Sequence, residues 1–547
     1  MTDSAVPDET GAADAPAGAQ RNPGRRPGIV IQILLIVCAL ATVLGHYFGA
    51  EFDRSVPNLV TLITTFIALV SLLYWFTLRS SYPPLVRLLV FLSVLGVTVA
   101  GVACLRIDET TGTMLPVFRF RWEPKPDQAM ARVERSDAEQ AIDLTTVSDD
   151  DFPRFFGPHF VPRIDGPKPA LARDWATAPP KLLWKQPIGG GWSAFAAVNG
   201  YAVTLEQRGE EELTTCYEAR TGKLIWSHST PTRHETVLGG VGPRSTPTIH
   251  EGKVFALGAH GLLRCLDGAT GKLLWKYDVY ESTRTDPEKD ITVVAWGRSG
   301  SPLVVDQKVI IPVGGPPGGP FISLVALDQA TGEVVWKSGE RQVSYASPML
   351  ATIAGRMQIV NVNEGSLSGH DPATGQVLWE QEWLGHSNGD ASTSQPNFLP
   401  GDRMLMTKGY GVGAALFQFE QGAGDKLQLS EVWRNARVLR TKLTSAVVYG
   451  DHAYGLSDGI MECIEWSTGK SRWKKRGFEH GQILLVGDQL IILSESGELA
   501  LADASPDAFV QRGSFQALEG KTWNTICLHG RLLLVRNGQE AGCWELP

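Results

Sequence analysis

Cysteine and positive charge are both scarce in this chain. Seven Cys occur in 547 residues and no two are spaced C-x-x-C, which removes the common zinc, iron–sulfur and dithiol frameworks and leaves no metal site to assign. Lys and Arg number 50 against 58 Asp and Glu, a net charge of −8, so there is no basic footprint for nucleic acid. Beyond residue 150 a long helical period is missing too. Short alternating apolar segments broken by turn residues take its place, which excludes a helical bundle and predicts an all-β fold. The Gly-rich run GGPPGGP (314–320) lacks a G-K-[ST] ending, and so reads as a hairpin connection rather than a phosphate loop.

The first hundred residues hold three apolar runs, at 29–50, 58–78 and 84–105. Each is about 20 residues, enough to cross roughly 30 Å of hydrocarbon. Residues 1–28, rich in Ala, Gly, Pro and Asp, read as a disordered tail. Residues 29–105 read as a three-helix transmembrane anchor, 106–175 as a linker and 176–547 as the folded domain. Arg21, Arg25 and Arg26 precede the first run, Arg79 and Arg87 flank the second connection, and the first connection has only Arg54 beside Glu51 and Asp53. That bias predicts a cytoplasmic N-terminus with everything after residue 105 on the far side. In a bacterium this means an inner-membrane protein with a periplasmic domain.

A cassette T-G-x-x-x-W recurs five times, ending in Trp226, Trp275, Trp336, Trp379 and Trp473; Trp184 and Trp433 extend the series without the Thr-Gly. Intervals of about 40–60 residues match a four-stranded propeller blade. In the cassette, Gly supplies the positive φ of a tight turn and the next strand carries a flat Trp over its neighbour. Ten residues before the Trp stand Cys216, Cys265, Ala326, Gly369 and Cys463. This is a small-residue slot, so those thiols are read as packed and unpaired. A worn copy lies near Phe509–Phe515. The N-terminal PKLLWK (180–185) is a fourth strand without partners, and residues 523–545 make three strands without a fourth. Pairing them predicts a closed ring of eight blades with no open edge.

The A-T-G-K-L-L-W cassette after an L-x-C/A-L-D strand resembles the PQQ (pyrroloquinoline quinone) repeat of quinoprotein alcohol and glucose dehydrogenases and of the BamB-type scaffold lipoprotein. The chain departs from the dehydrogenases in having no adjacent Cys pair, compact loops and three apolar runs. The resemblance implies an eight-bladed β-propeller whose loop face binds a ligand or an envelope protein partner in a non-catalytic scaffold role. The alternative is a PQQ- and Ca²⁺-dependent dehydrogenase oxidising an alcohol or sugar and passing electrons to membrane quinone.

Residues just before each innermost strand point to the channel mouth of such a ring. They include Trp192, Arg244, Arg298, Tyr345, Lys442, Trp523 and Asn524, with Lys408 from a second-strand end. A cation-and-aromatic set of this kind suits a planar polyanion such as PQQ. Glu206 or Glu364 would then be the general base for a substrate hydroxyl.

Overall fold

A computed structural model describes residues 26–49, 52–130, 141–165, 170–385, 391–422 and 426–547. Nearly all of the tail read as disordered, and part of the linker, lie outside the described residues. The chain divides into two units, residues 1–47 with 57–104, and residues 48–56 with 105–547.

The first unit is built on α1 (Ile29–Leu44), α2 (Ser55–Tyr74) and α3 (Pro84–Cys104). Counted with the helical turns that continue α1 to Gly49 and α2 to Arg79, all three are long and apolar enough to cross a membrane, with mean hydropathies of 2.5, 2.1 and 2.3. Side chains such as Leu40, Ile63 and Val97 are exposed, as expected of helices whose solvent is lipid. Polar bonds join the first two, Thr42 Oγ1 to Thr64 Oγ1 at 2.7 Å and His46 Nε2 to Thr61 Oγ1 at 3.0 Å.

The second unit is a ring of eight antiparallel four-stranded sheets. Blade one spans 196–231, and the last blade takes its outer strand from the start of the domain. That strand, β4 (Lys181–Pro187), pairs antiparallel with Glu540–Glu545, setting Trp184 opposite Cys543 and Pro187 opposite Glu540. The predicted closure is therefore present, and it leaves no blade incomplete.

The repeated residues pack as one device. Six of the seven outer-strand Trp lie opposite a small residue of their own blade, as in Cys216 with Trp226, Cys265 with Trp275 and Ala326 with Trp336, while Trp433 faces Leu416. The Trp ring then lies under the Thr-Gly turn of the next blade: a Cβ on Gly222 would come within 2.7 Å of Trp184, and one on Gly332 within 2.6 Å of Trp275. The glycine is thus needed twice, for its positive φ (+73° and +75°) and for the room its missing side chain leaves. The indole N–H reaches across as well: Trp184 donates to Ala219 O (2.9 Å), Trp226 to Gly268 O (2.9 Å) and Trp473 to Ser505 O (2.9 Å).

Blade five has no Thr-Gly turn, and its neighbour's Trp379 turns inward instead, donating to Gln358 Oε1 at 2.8 Å. A Cβ on Gly369 would then fall 2.0 Å from its Nε1, which explains glycine in that slot. The worn seventh copy has Gly513 where the others have Trp. Trp175, from before the ring, fills the place: it is buried, lies against Gly513 and packs on Phe515 at 5.7 Å.

Much of the stretch preceding the ring is also packed into it. β1 (Leu105–Thr110) and β2 (Pro116–Phe120) form a hairpin, α4 (Pro126–Ala129) follows, and Leu144, Phe152 and Phe156 are buried. Then β3 (Arg163–Ile164) adds a fifth, parallel strand to the inner edge of blade seven. All seven cysteines are free.

Candidate functional site

The segments leading into the innermost strands converge on the ring axis, and all eight blades line one cavity of about 140 Å³ there. Its wall is aromatic, with Trp192, Trp296, Tyr345, Tyr410 and Trp523 from the blades, and Phe155 and Phe156 from the segment before the ring. Of the sequence-predicted residues, Trp192, Arg244, Tyr345 and Trp523 line this cavity, whereas Arg298, Lys408, Lys442, Asn524, Glu206 and Glu364 do not.

Arg244 is the one charged side chain in the lining among the described residues. Its guanidinium donates to the carbonyls of Gly239 (2.6 Å), Gly240 (3.1 Å) and Gly242. Burial pushes its pKa down to about 9. The two tryptophans lie together, ring centres 5.1 Å apart. Trp192 donates to Gly239 O (2.6 Å) and Trp523 to Glu495 Oε1 (3.1 Å).

The remaining predicted cations each have a partner of their own. Arg298 is buried and pairs in two-pronged fashion with Asp290 (2.7 and 3.0 Å) while donating to Val313 O (2.5 Å). Asp290 sits on a short helix, Pro287–Val293, inside the long 278–299 loop. Lys408 is buried and donates to Trp383 O at 3.2 Å. Lys442 donates to Asp53 Oδ1 (3.1 Å), Ser55 Oγ (2.7 Å) and Gly112 O (3.3 Å).

Those last three acceptors are the least expected feature of the mouth. Residues 52–55, from the connection between α1 and α2, enter it together with the tip of the β1–β2 hairpin. Arg54 N donates to Asp458 Oδ2 (2.6 Å) and its guanidinium to Asp458 O (3.3 Å). Gly112 N donates to Glu495 Oε1 (2.8 Å), and Glu109 pairs with Lys521 at 2.5 Å. The Lys521 ammonium sits 4.9 Å from the Trp192 ring centre and 4.3 Å from that of Trp523, within cation–π range. Further round, Asp127 of α4 pairs with Arg233 at 2.6 Å. Burial works to raise the Asp53 carboxyl, but the Lys442 ammonium and bonds from Ser55 outweigh it and hold the pKa below the usual range. For Asp458, burial and then the nearby Asp53 charge push the pKa up.

Neither predicted base lines the cavity. Glu206 is fully buried and accepts from Gly189 N (2.5 Å), Tyr217 Oη (2.7 Å) and Arg208 (3.2 Å). Burial favours its neutral form, yet Arg208 and Arg536 overcome this and keep it ionised. Glu364 lies half-buried on a turn of blade four, where its N–H donates to Gln342 O at 2.9 Å. Asn524 Nδ2 bridges Gly191 O (3.1 Å) and Ser193 O (2.8 Å), tying blade eight to blade one.

PQQ does not fit this arrangement. It is a tricyclic tricarboxylate, and sites for ligands of that size measure about 300–1,000 Å³, whereas the axial cavity measures about 140 Å³. Of the cations predicted to meet its carboxylates, only Arg244 faces the cavity. Among the described residues no group of three or more His, Cys, Asp or Glu is placed to hold Ca²⁺.

Comparison with known proteins places the ring. A family model described as outer membrane protein assembly factor BamB matches residues 177–283 and 209–475. BamB of Shewanella oneidensis is 24% identical over 312 residues, covering 55% of this chain and 72% of that protein. A quinohemoprotein alcohol dehydrogenase of Pseudomonas putida is 31% identical over 128 residues, but these are 22% of this chain and only 16% of the enzyme. Among solved structures, BamB of Moraxella catarrhalis aligns with a TM-score of 0.45 at 16% identity, covering 67% of this chain and all of that one. With more than half of its length matched by that model, the chain belongs to the BamB family of PQQ-repeat β-propellers.

Proposed function

We propose that this protein is a membrane-anchored, non-catalytic scaffold whose propeller docks an envelope protein on the periplasmic side of the inner membrane. The observation carrying this reading is the state of the channel mouth. Two of the cations that would bind a substrate there, Lys442 and Arg298, are already bonded to Asp53, Ser55 and Gly112 and to Asp290 of the same chain. The rival reading is a PQQ-dependent dehydrogenase passing electrons to membrane quinone. It requires several uncommitted cations and a base around a roomy cleft, and the geometry supplies one Arg beside a small cavity.

Protein docking is also favoured at the rim. The outermost strands of blades two and three expose Leu273, Leu274, Val334 and Val335 beside free strand edges, the kind of surface a partner strand or loop covers. The periplasmic assignment rests on the arginine bias around the three apolar runs.

Photo-crosslinking residues placed at Leu274, Val335 and Trp523 in living cells test the proposal. Discrete protein adducts from the two rim positions, and none from Trp523, are expected. Adducts confined to Trp523, or none at all, would overturn it.

A further inference from the structure

The axial cavity has a chemistry that neither the scaffold reading nor the repeat explains. Arg244 is buried, 9% exposed, and among the described residues no carboxylate stands within ion-pairing distance of it. Arg298 has Asp290, Arg264 has Glu212 at 2.6 Å and Lys442 has Asp53, whereas Arg536, fully buried, is held by carbonyls, as Arg244 is, and by a hydroxyl, but lies outside the cavity. A guanidinium carries five N–H donors. Three bonds to glycine carbonyls are made by Arg244, which leaves two donors and, among the described residues, a positive charge offset only at a distance by Glu212. Burying such a charge without a counter-ion is costly.

Two further groups in the same cavity have capacity to spare. Among the described residues the Thr444 hydroxyl, 5% exposed, has no hydrogen-bond partner, and the Tyr345 hydroxyl, which receives the Trp296 backbone N–H, donates its own proton to no group. The remaining wall is flat and aromatic, chiefly Trp192, Trp296 and Trp523. An apolar cavity of about 150 Å³ holds one benzene-sized body, and this one is about 140 Å³.

We infer that the axial cavity is a binding site for a small, compact carboxylate of about benzoate size. Its anionic end neutralises Arg244 and accepts from Tyr345 and Thr444, and its flat body stacks among the tryptophans. The site goes beyond the scaffold proposal and stands whether or not the rim docks a protein.

Titration of the full-length protein in detergent micelles with sodium benzoate tests this, read by tryptophan fluorescence and by calorimetry. Benzamide is the neutral control of matching shape. Saturable quenching by benzoate is expected, at least tenfold tighter than by benzamide. Arg244→Gln should abolish that preference, and Thr444→Val should weaken benzoate several-fold with little effect on benzamide. No saturable binding of benzoate up to tens of millimolar, or equal affinity for the two compounds, would overturn the inference. So would wild-type benzoate affinity in a folded Arg244→Gln protein. If that variant does not fold, the benzoate–benzamide ratio in the wild type and the near-isosteric Thr444→Val decide the matter.

Discussion

Trp226 and Trp275 occupy the same repeat position, yet Trp226 is fully buried whereas Trp275 stays partly exposed. Their cost on truncation should differ accordingly. Trp226→Ala is expected to lose about 3–5 kcal/mol and Trp275→Ala clearly less, as measured by chemical denaturation. Gly332→Ala should also destabilise the ring, because its new methyl would meet the Trp275 ring at 2.6 Å on a backbone of φ +75°. His370 gives a pH signature. It is fully buried between Ser338 Oγ and Ser368 Oγ, both at 2.8 Å, and burial pushes its pKa down to about 4. The unfolded chain takes up a proton near pH 6.5 and the folded one does not. Stability is therefore complete above pH 6.5 and is lost as the pH falls from there toward about 4. The loss from this residue is of the order of 3 kcal/mol, and His370→Gln should flatten that limb of the stability–pH curve. The repeat residues were legible in the sequence because their meaning is local: a turn glycine and a Trp at fixed spacing imply the same hairpin wherever they recur. The partners of individual cations were not. Nothing near Lys442 in sequence points to Asp53, nor does anything beside Arg298 mark Asp290 as its carboxylate rather than one of the neighbouring acids.

Among the elements, the 48–56 connection is the most informative. Its arginine and acids look like an ordinary polar turn between apolar runs, yet Phe52 lies against Gly411, and Asp53 and Arg54 reach Lys442 and Asp458. The two ionic contacts are 389 and 404 residues apart in sequence, separations at which no spacing rule operates. Asp53→Asn should loosen this segment, increasing amide hydrogen exchange at residues 52–55 while leaving the blade strands protected. Because the Asp53 carboxyl is held below its ordinary range by Lys442 and Ser55, the pair contributes fully at neutral pH. Its contribution is lost only as the pH falls below the ordinary carboxylate range toward that lowered value, so strong acid, and not mild acid, should mimic the variant. β4 is the opposite case. A lone K-L-L-W strand placed before the repeats had one sensible partner, and the register Cys543 opposite Trp184 is the one found in blade after blade.

At the scale of the molecule, eight blades and their closure followed from periodicity, and the three long apolar helices from composition. The expected open, cation-rich mouth did not follow, because which residues face a channel is a property of blade position, while what covers them depends on segments outside the repeat. The ring uses that mouth to hold the chain's own 52–55 and 109–112 segments, leaving on the axis a cavity of about 140 Å³. The proposed scaffold role needs no opening of that cavity. The most direct measurement is titration of the full-length protein in detergent with PQQ and Ca²⁺, followed by the bound-quinone absorbance and by dye reduction with alcohols and sugars. No bound quinone at micromolar cofactor and no dye reduction are expected. A stoichiometric quinone spectrum with turnover would contradict the account.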